Sequence, residues 1–219
     1  MNRHVTFYQS IILALLPFLL PLDCFCYNEK DHGELCTYIS DHSVDGFSFD
    51  QYLKPNLGFD LGVNHYFTER KVMTLSWFGI FQKDPLTAKT CLGEGGKDED
   101  SPFTRCKNHF HDSLMTWNQA GLNKGEGFLG GESSIIWAQK ERGLQYSGDY
   151  SWHDVRHYFY TALTSMNADI RAENLIKTFQ GVGHLMHLIQ DASVPEHIRN
   201  NSHILPSDNF EKYITTYNN

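Results

Sequence analysis

The segment AENLIKTFQGVGHLMHLIQDAS, residues 172–193, places ionisable side chains inside the apolar pattern of a buried helix. Its apolar residues recur at helical spacing, and His184, His187 and Asp191 share one face because positions three, four and seven apart are neighbours on a helix. Burying such groups without partners costs free energy. A metal ion would give the histidines and the aspartate a partner, because neutral imidazole and carboxylate are both metal ligands. The segment therefore predicts a core helix carrying part of a metal site.

His197 and His184 have different relations to this site. Pro195 turns the chain after the helix, so we expect His197 to come back near the helix end. His184 is a weaker candidate than His187, and we interpret it as a core histidine or as a support for a ligand. A His–Asp pair four residues apart also occurs on helix surfaces. The apolar context of the segment is therefore what favours a metal site.

A second group of candidate ligands lies in KDEDSP and RCKNHFHDSL, between residues 97 and 114. His109 has apolar neighbours, which favours a partly buried ligand, and His111 and Asp112 are candidates for orienting one. The acidic run contributes Asp100, with Glu99 competing for the same role. Any single carboxylate of such a run is more often a solvated loop residue, so this assignment depends on the other ligands.

The first 26 residues have the composition of a secretory signal. Their apolar core, IILALLPFLL, is too short to span a bilayer comfortably. The small residues Cys24 and Cys26 suit a cleavage site, so the mature chain is predicted to begin at Tyr27 and to be secreted or periplasmic. An uncleaved anchor and lipidation at Cys24 are the weaker alternatives.

The remaining residues, 27–219, predict one mostly helical domain. Hydrophobic residues make up 41% of the chain, enough for a core, and alternating strand patterns are scarce. The run at 75–81 is ambiguous between strand and helix, and CLGEGGKDEDSPF at 91–103 predicts a loop, since it has glycine and charge without periodicity. The predicted helices are 31–41, a short helix from 49 that Pro55 ends, 151–166 and 172–193.

Charge and cysteine content restrict the chemistry. The formal net charge is −8, so the overall field does not attract a polyanion, and phosphate chemistry would need a local positive charge such as a bound metal.

Three cysteines remain after removal of the predicted signal, namely Cys36, Cys91 and Cys106. A Cys91–Cys106 disulfide and free buried thiols are equally compatible with the sequence. The absence of a CxxC motif argues against a cysteine-based zinc site.

Together these motifs resemble the superfamily of zinc-dependent phospholipases C and single-strand nucleases. The resemblance implies a secreted, all-α, multi-helix phospholipase C/nuclease-like domain that holds up to three zinc ions in a cleft. It covers most of the mature chain. The shared features are signal cleavage before an aromatic residue, Tyr27 followed by His32, Asp100 upstream of the HFxD motif at His109 to Asp112, and the HxxxDxxxxxH motif of His187, Asp191 and His197.

The resemblance also implies how the ligands divide among three zinc ions. Asp191 would bridge two of them, and Asp100 would be a further ligand of one ion or the base that accepts a proton from water. Asp100 and Asp191 are thus the implied catalytic residues. The implied ligands are His109, His187 and Asp191 for the first ion, the Tyr27 amine and carbonyl with His32 and Asp191 for the second, and His197 with His203 and Glu211 for the third.

The chain departs from the family pattern at both ends. Tyr27 stands where the family has tryptophan, a tolerable change because backbone atoms do the chelating. His203 and Glu211 are eight residues apart, whereas the family's later ligands lie four apart. Either these two residues serve in a modified third site, or the sequence is a fragment that lost the rest.

The function implied by the resemblance is hydrolysis of a phosphodiester by hydroxide produced from zinc-bound water. A phospholipid is preferred over single-stranded nucleic acid, because the HFHD spelling and the aliphatic histidine helix are closer to the bacterial phospholipases. A phospholipid substrate implies a transient contact with a membrane surface, and no obligate protein partner is inferred. The alternatives are a secreted single-strand nuclease of the same superfamily and a secreted metal-binding domain without turnover.

Overall fold

A computed structural model describes residues 29–67, 72–76, 79–83, 86–122 and 130–199, with the backbone alone for the two strands. Its fold is mostly helical. The predicted signal segment lies outside these residues, and none of the described helices is both long and apolar enough to cross a membrane. The elements are α1 Glu29–Asp41, α2 Phe49–Leu57, β1 Val72–Ser76, β2 Gly79–Lys83, α3 Ala88–Asp98, α4 Phe103–Cys106, α5 Ser134–Ala138, α6 Trp152–Thr164, α7 Ala168–Asp191 and α8 Pro195–Ile198, with 3₁₀ turns at Gly62–Asn64 and Trp117–Gln119.

Helix α7 is the central element of the fold. It packs against α3 and α6, and α1 packs against α3 in turn. The predicted helix at 172–193 is confirmed and begins earlier, because the side chain of Asn167 caps it by accepting hydrogen bonds from the backbone of Asp169 and Ile170. The core between these helices contains Leu53, Phe59, Val63, Phe67, Leu92 and Phe179.

The prediction of a loop at 91–103 is wrong over most of that range, because Ala88–Asp98 is a helix that begins at the cap residue Thr87. Glycine is a poor helix former in isolation, but here the glycines let two backbones meet. A Cβ on Gly95 would lie 2.0 Å from the carbonyl oxygen of Gln180, and one on Gly183 would lie 2.3 Å from that of Leu92. Tertiary packing of α3 on α7 therefore overrides local propensity.

Two smaller expectations are also settled by the structure. Pro55 does not end its helix, since α2 continues to Leu57 and stops before Gly58, which adopts the left-handed conformation at φ 69°. Within the ambiguous run at 75–81, the described residues 75–76 and 79–81 lie in two antiparallel strands, in which Ser76 pairs with Gly79. Among the described residues, these two strands are the only β-strands in an otherwise helical fold.

The three cysteines of the described residues are buried and form no disulfide. The Cys91–Cys106 disulfide is therefore not formed, and the alternative of buried thiols is the correct one. Cys36 and Cys91 belong to the hydrophobic core between the helices. They act there as small apolar side chains.

Candidate metal centre

Six ionisable side chains from five parts of the chain meet beside α7. All of them are buried, with at most 4% of their surface exposed. Because their elements pack around α7, residues up to 165 positions apart become neighbours. They are His32 on α1, Asp100 just after α3, His109 just after α4, His187 and Asp191 on α7, and His197 on α8.

The carboxylate of Asp191 lies at the centre of this cluster. Its Oδ2 atom is 2.8 Å from His109 Nδ1 and 3.2 Å from His187 Nε2. Its Oδ1 atom is 3.4 Å from His32 Nε2 and 3.2 Å from His197 Nδ1. Each oxygen of one carboxylate therefore faces its own pair of imidazoles, an arrangement that suits a bridging ligand.

Asp100 completes the set around Oδ2 of Asp191. Its Oδ1 atom lies 3.4 Å from His187 Nε2 and 3.5 Å from His109 Nδ1. Two ligands bound to one tetrahedral zinc at about 2.1 Å are about 3.4 Å apart. The spacing of these donor atoms thus matches a single ion. Two groups of donors fall within reach of an ion, namely Asp100, His109 and His187, and His32, His187 and Asp191.

Several polar atoms of this cluster have no hydrogen-bond partner in the described part of the chain. They are both carboxylate oxygens of Asp100 and of Asp191, both ring nitrogens of His109, and Nε2 of His187. Leaving buried polar atoms unsatisfied is costly, and native proteins rarely do so. A metal ion supplies the missing partner to carboxylate and imidazole alike. The buried His and Asp clusters can therefore hold a metal ion.

Two of the imidazoles are oriented through their second ring nitrogen. His32 Nδ1 is 2.6 Å from Oε1 of Gln190, and His187 Nδ1 is 2.6 Å from the carbonyl oxygen of Gly96. Because a carbonyl oxygen accepts, each Nδ1–H donates, and in the neutral ring Nε2 is the lone-pair nitrogen facing Asp191. The two rings also stack, with centroids 3.7 Å apart. Both histidines are thus set in the tautomer that binds metal through Nε2.

Protons balance the charge of the cluster when no ion is bound. Although burial opposes protonation, Asp191 raises the pKa of His109 to about 9 and, with Asp100, raises that of His187 well above its ordinary value. Burial and the neighbouring His187 lower the pKa of His32 to about 4. Burial opposes ionisation of Asp191, but His197, His187 and His109 together hold its pKa well below the usual range.

Metal binding is therefore expected to release protons. Near neutral pH the metal-free protein carries a proton on His109, whose pKa of about 9 lies above that pH, and the pKa of His187 is raised in the same direction. An ion binds only the neutral imidazoles. Calorimetric zinc titration in buffers of different ionisation enthalpy should show a net release of protons for the ion held by both rings. Zinc affinity should rise with pH until these protons are lost, and proton-independent binding would contradict the assignment.

The other residues singled out from the sequence lie around this cluster. Glu99 lies behind His109 and pairs with Arg105, and Asp100, not Glu99, is among the donors within reach of one ion. His184 contacts Glu99. Asp112 accepts a hydrogen bond from the backbone of Leu114, as a turn residue does. His111 contacts the Ser133 hydroxyl, and Tyr27, His203 and Glu211 lie outside the described residues.

Sequence reasoning missed the groups that orient the imidazoles. Gln190 lies three residues after His187, so its position on the ligand-bearing helix was a signal that could have identified it. The carbonyl of Gly96 left no such signal, because every residue has a carbonyl group and only packing of α3 on α7 selects this one.

Comparison with protein-family models, with curated proteins and with solved structures finds no match to this chain. The fold and the site define the class on their own: a mostly helical protein with buried histidine and aspartate clusters able to hold a metal ion.

Proposed function

We propose that this protein is an exported, zinc-dependent phosphodiester hydrolase of the phospholipase C type. The observation that carries the proposal is the position of Asp191 between two sets of imidazoles, one at each carboxylate oxygen. Paired metal ions bridged in this way are used by enzymes for in-line displacement at phosphorus.

The donor set favours zinc. Imidazole nitrogen and carboxylate oxygen are the ligands of catalytic zinc sites, whereas calcium and magnesium prefer oxygen alone. Residues Asp100, His109, His187 and Asp191 would hold one ion, and His32 with Asp191 would take part in holding another. When bound, zinc lowers the pKa of water towards neutrality and offsets negative charge on a phosphate.

Asp100 is the residue best placed to handle a proton. One of its oxygens lies against His109 and His187, which leaves the other oxygen for water. Both oxygens are without hydrogen-bond partners in the described ranges, so neither is committed to a structural role. Asp191 has the complementary task of holding four imidazoles around a single carboxylate.

A cleft on the His32 side of the cluster supports a phospholipid over a nucleic acid. Its volume is about 380 Å³, and the exposed side chains of Leu35 and Tyr38 give it apolar surface. The carboxylates of Asp31 and Glu34 would repel a polyanionic strand but tolerate a lipid with a cationic headgroup. The lining residues are Asp31, His32, Glu34, Leu35, Tyr38, Gln190 and Ser193.

The test is a substrate panel with the protein loaded with zinc and stripped of it. A chromogenic phosphodiester, phosphatidylcholine vesicles and single-stranded DNA are offered in parallel, and bound zinc is counted in the same samples. We expect cleavage of the chromogenic diester and of phosphatidylcholine, loss of both on chelation, and recovery on adding zinc. Cleavage of DNA alone would favour the nuclease alternative. Stoichiometric zinc without turnover of any substrate would overturn the proposal in favour of a metal-binding domain.

A further inference from the structure

A buried carboxylate faces the rear of one candidate ligand. Glu99 is fully buried, and its Oε1 atom lies 3.7 Å from Nε2 of His109. The opposite nitrogen of the same ring, Nδ1, faces Asp191 and Asp100. His109 therefore stands between the carboxylates of the metal cluster and one carboxylate that is no part of it.

Hydrogen bonds from three side chains hold Glu99 in place. Its Oε2 atom accepts from Nε and Nη2 of Arg105, at 3.0 and 2.6 Å, and contacts Nδ1 of His184 at 2.5 Å. Its Oε1 atom accepts from Nε1 of Trp137 at 2.8 Å. Trp137 thus fixes the oxygen that faces His109. A carboxylate bound in this way cannot rotate, so its direction towards His109 is part of the fold.

Arg105, which pairs with Glu99, is itself held in place by further hydrogen bonds. The guanidinium also donates to the carbonyl oxygens of Tyr146 and Gly148, so it is fixed independently of Glu99. An arginine in such a setting remains charged. Although burial opposes ionisation of Glu99, the guanidinium against it keeps its negative charge beside the ring of His109.

The two other oriented imidazoles show what such an acceptor does. His32 and His187 each place Nδ1–H against a fixed oxygen, on Gln190 and Gly96, and direct Nε2 at Asp191. In His109 the two ring nitrogens are exchanged: Nδ1 faces Asp191, and Nε2 lies on the side of the ring away from it. The oxygen that faces its rear nitrogen belongs to Glu99.

We propose that Glu99 is a positioning residue for His109. Its negative carboxylate, 3.7 Å from Nε2, favours the proton on that nitrogen and so leaves Nδ1 as the nitrogen that binds metal. A carboxylate behind a ligating histidine fixes the tautomer and strengthens the ligand. The inference rests on the metal centre of the proposed function but not on the reaction catalysed, so it stands whatever the substrate.

The test is Glu99→Gln, compared with Asp98→Asn, which makes the same charge change at the exposed neighbouring residue. Loss of a carboxylate behind a metal ligand costs about 10- to 100-fold in metal affinity. We expect a drop of that size for Glu99→Gln in competition with a chromogenic zinc chelator, and none for Asp98→Asn. In ¹⁵N NMR of the metal-free and zinc-loaded proteins, the signal of protonated Nε2 on His109 should weaken or move in Glu99→Gln alone.

A purely structural role for Glu99 predicts a different result. Glu99→Gln would then lower the melting temperature while the ¹⁵N pattern of His109 and the zinc affinity stayed as in the parent protein, and this outcome overturns the proposal. If the single variant fails to fold because Arg105 loses its buried partner, the neutral double variant Glu99→Gln with Arg105→Met is measured in the same way. Both readouts are independent of hydrolysis, so an inactive enzyme would not affect them.

Discussion

Asp191→Asn is expected to lose tightly bound zinc and phosphodiesterase activity together. The substitution keeps the size of the side chain but removes the charge that faces His32, His109, His187 and His197 at 2.8–3.4 Å. An amide is a poor bridge, so both ligand groups are weakened by one change. We expect zinc affinity to fall by more than the roughly 10- to 100-fold typical of residues behind the ligands. Activity should fall to the level of the chelated parent protein.

The matched control for this substitution is Asp169→Asn, on the exposed first turn of the same helix. It removes the same charge and should leave zinc content and activity unchanged. Zinc is measured by elemental analysis after gel filtration, and folding by far-ultraviolet circular dichroism. A folded Asp191→Asn protein that retained full zinc content would remove the basis of the metal centre.

Gly183→Ala is expected to destabilise the protein and to weaken its metal site. Helix propensity alone predicts the opposite, a gain of about 1 kcal/mol for alanine over glycine inside a helix. The new Cβ, however, would lie 2.3 Å from the carbonyl oxygen of Leu92 and 2.8 Å from the backbone nitrogen of Gly96. Backbone atoms cannot rotate away, so α7 must move from α3. Overpacking of this kind costs about 1–3 kcal/mol.

The displacement of α7 from α3 should also shift the candidate metal ligands. The carbonyl of Gly96 orients His187, and Asp100 follows α3 by two residues. We therefore expect lower zinc affinity as well as a lower free energy of unfolding in urea. Lys177→Ala, at a partly exposed position of α7, is the control. Equal or greater stability of Gly183→Ala would show that the close contact of the two backbones is not a constraint.

The helices that carry a clear apolar period were predictable from the sequence. Both α6 and α7 lie where their patterns predicted a helix, and their N-terminal ends are set by the caps Ser151 and Asn167. Helix α3 was not predictable in this way, because its glycines have no meaning until the partner backbone is in place. The sequence pattern predicted a loop at these glycines, whereas in the fold they allow the backbone of α3 to contact that of α7.

For the metal centre, the sequence by itself determined which residue types are available and that His187 and Asp191 share one face of a buried helix. That follows from helical geometry, which is local. The tertiary structure alone decided that Asp100 and not Glu99 joins them, that His109 presents Nδ1, and that Gln190 and a backbone carbonyl orient the rings. These choices depend on how helices distant in sequence pack against one another, and no local period encodes that packing.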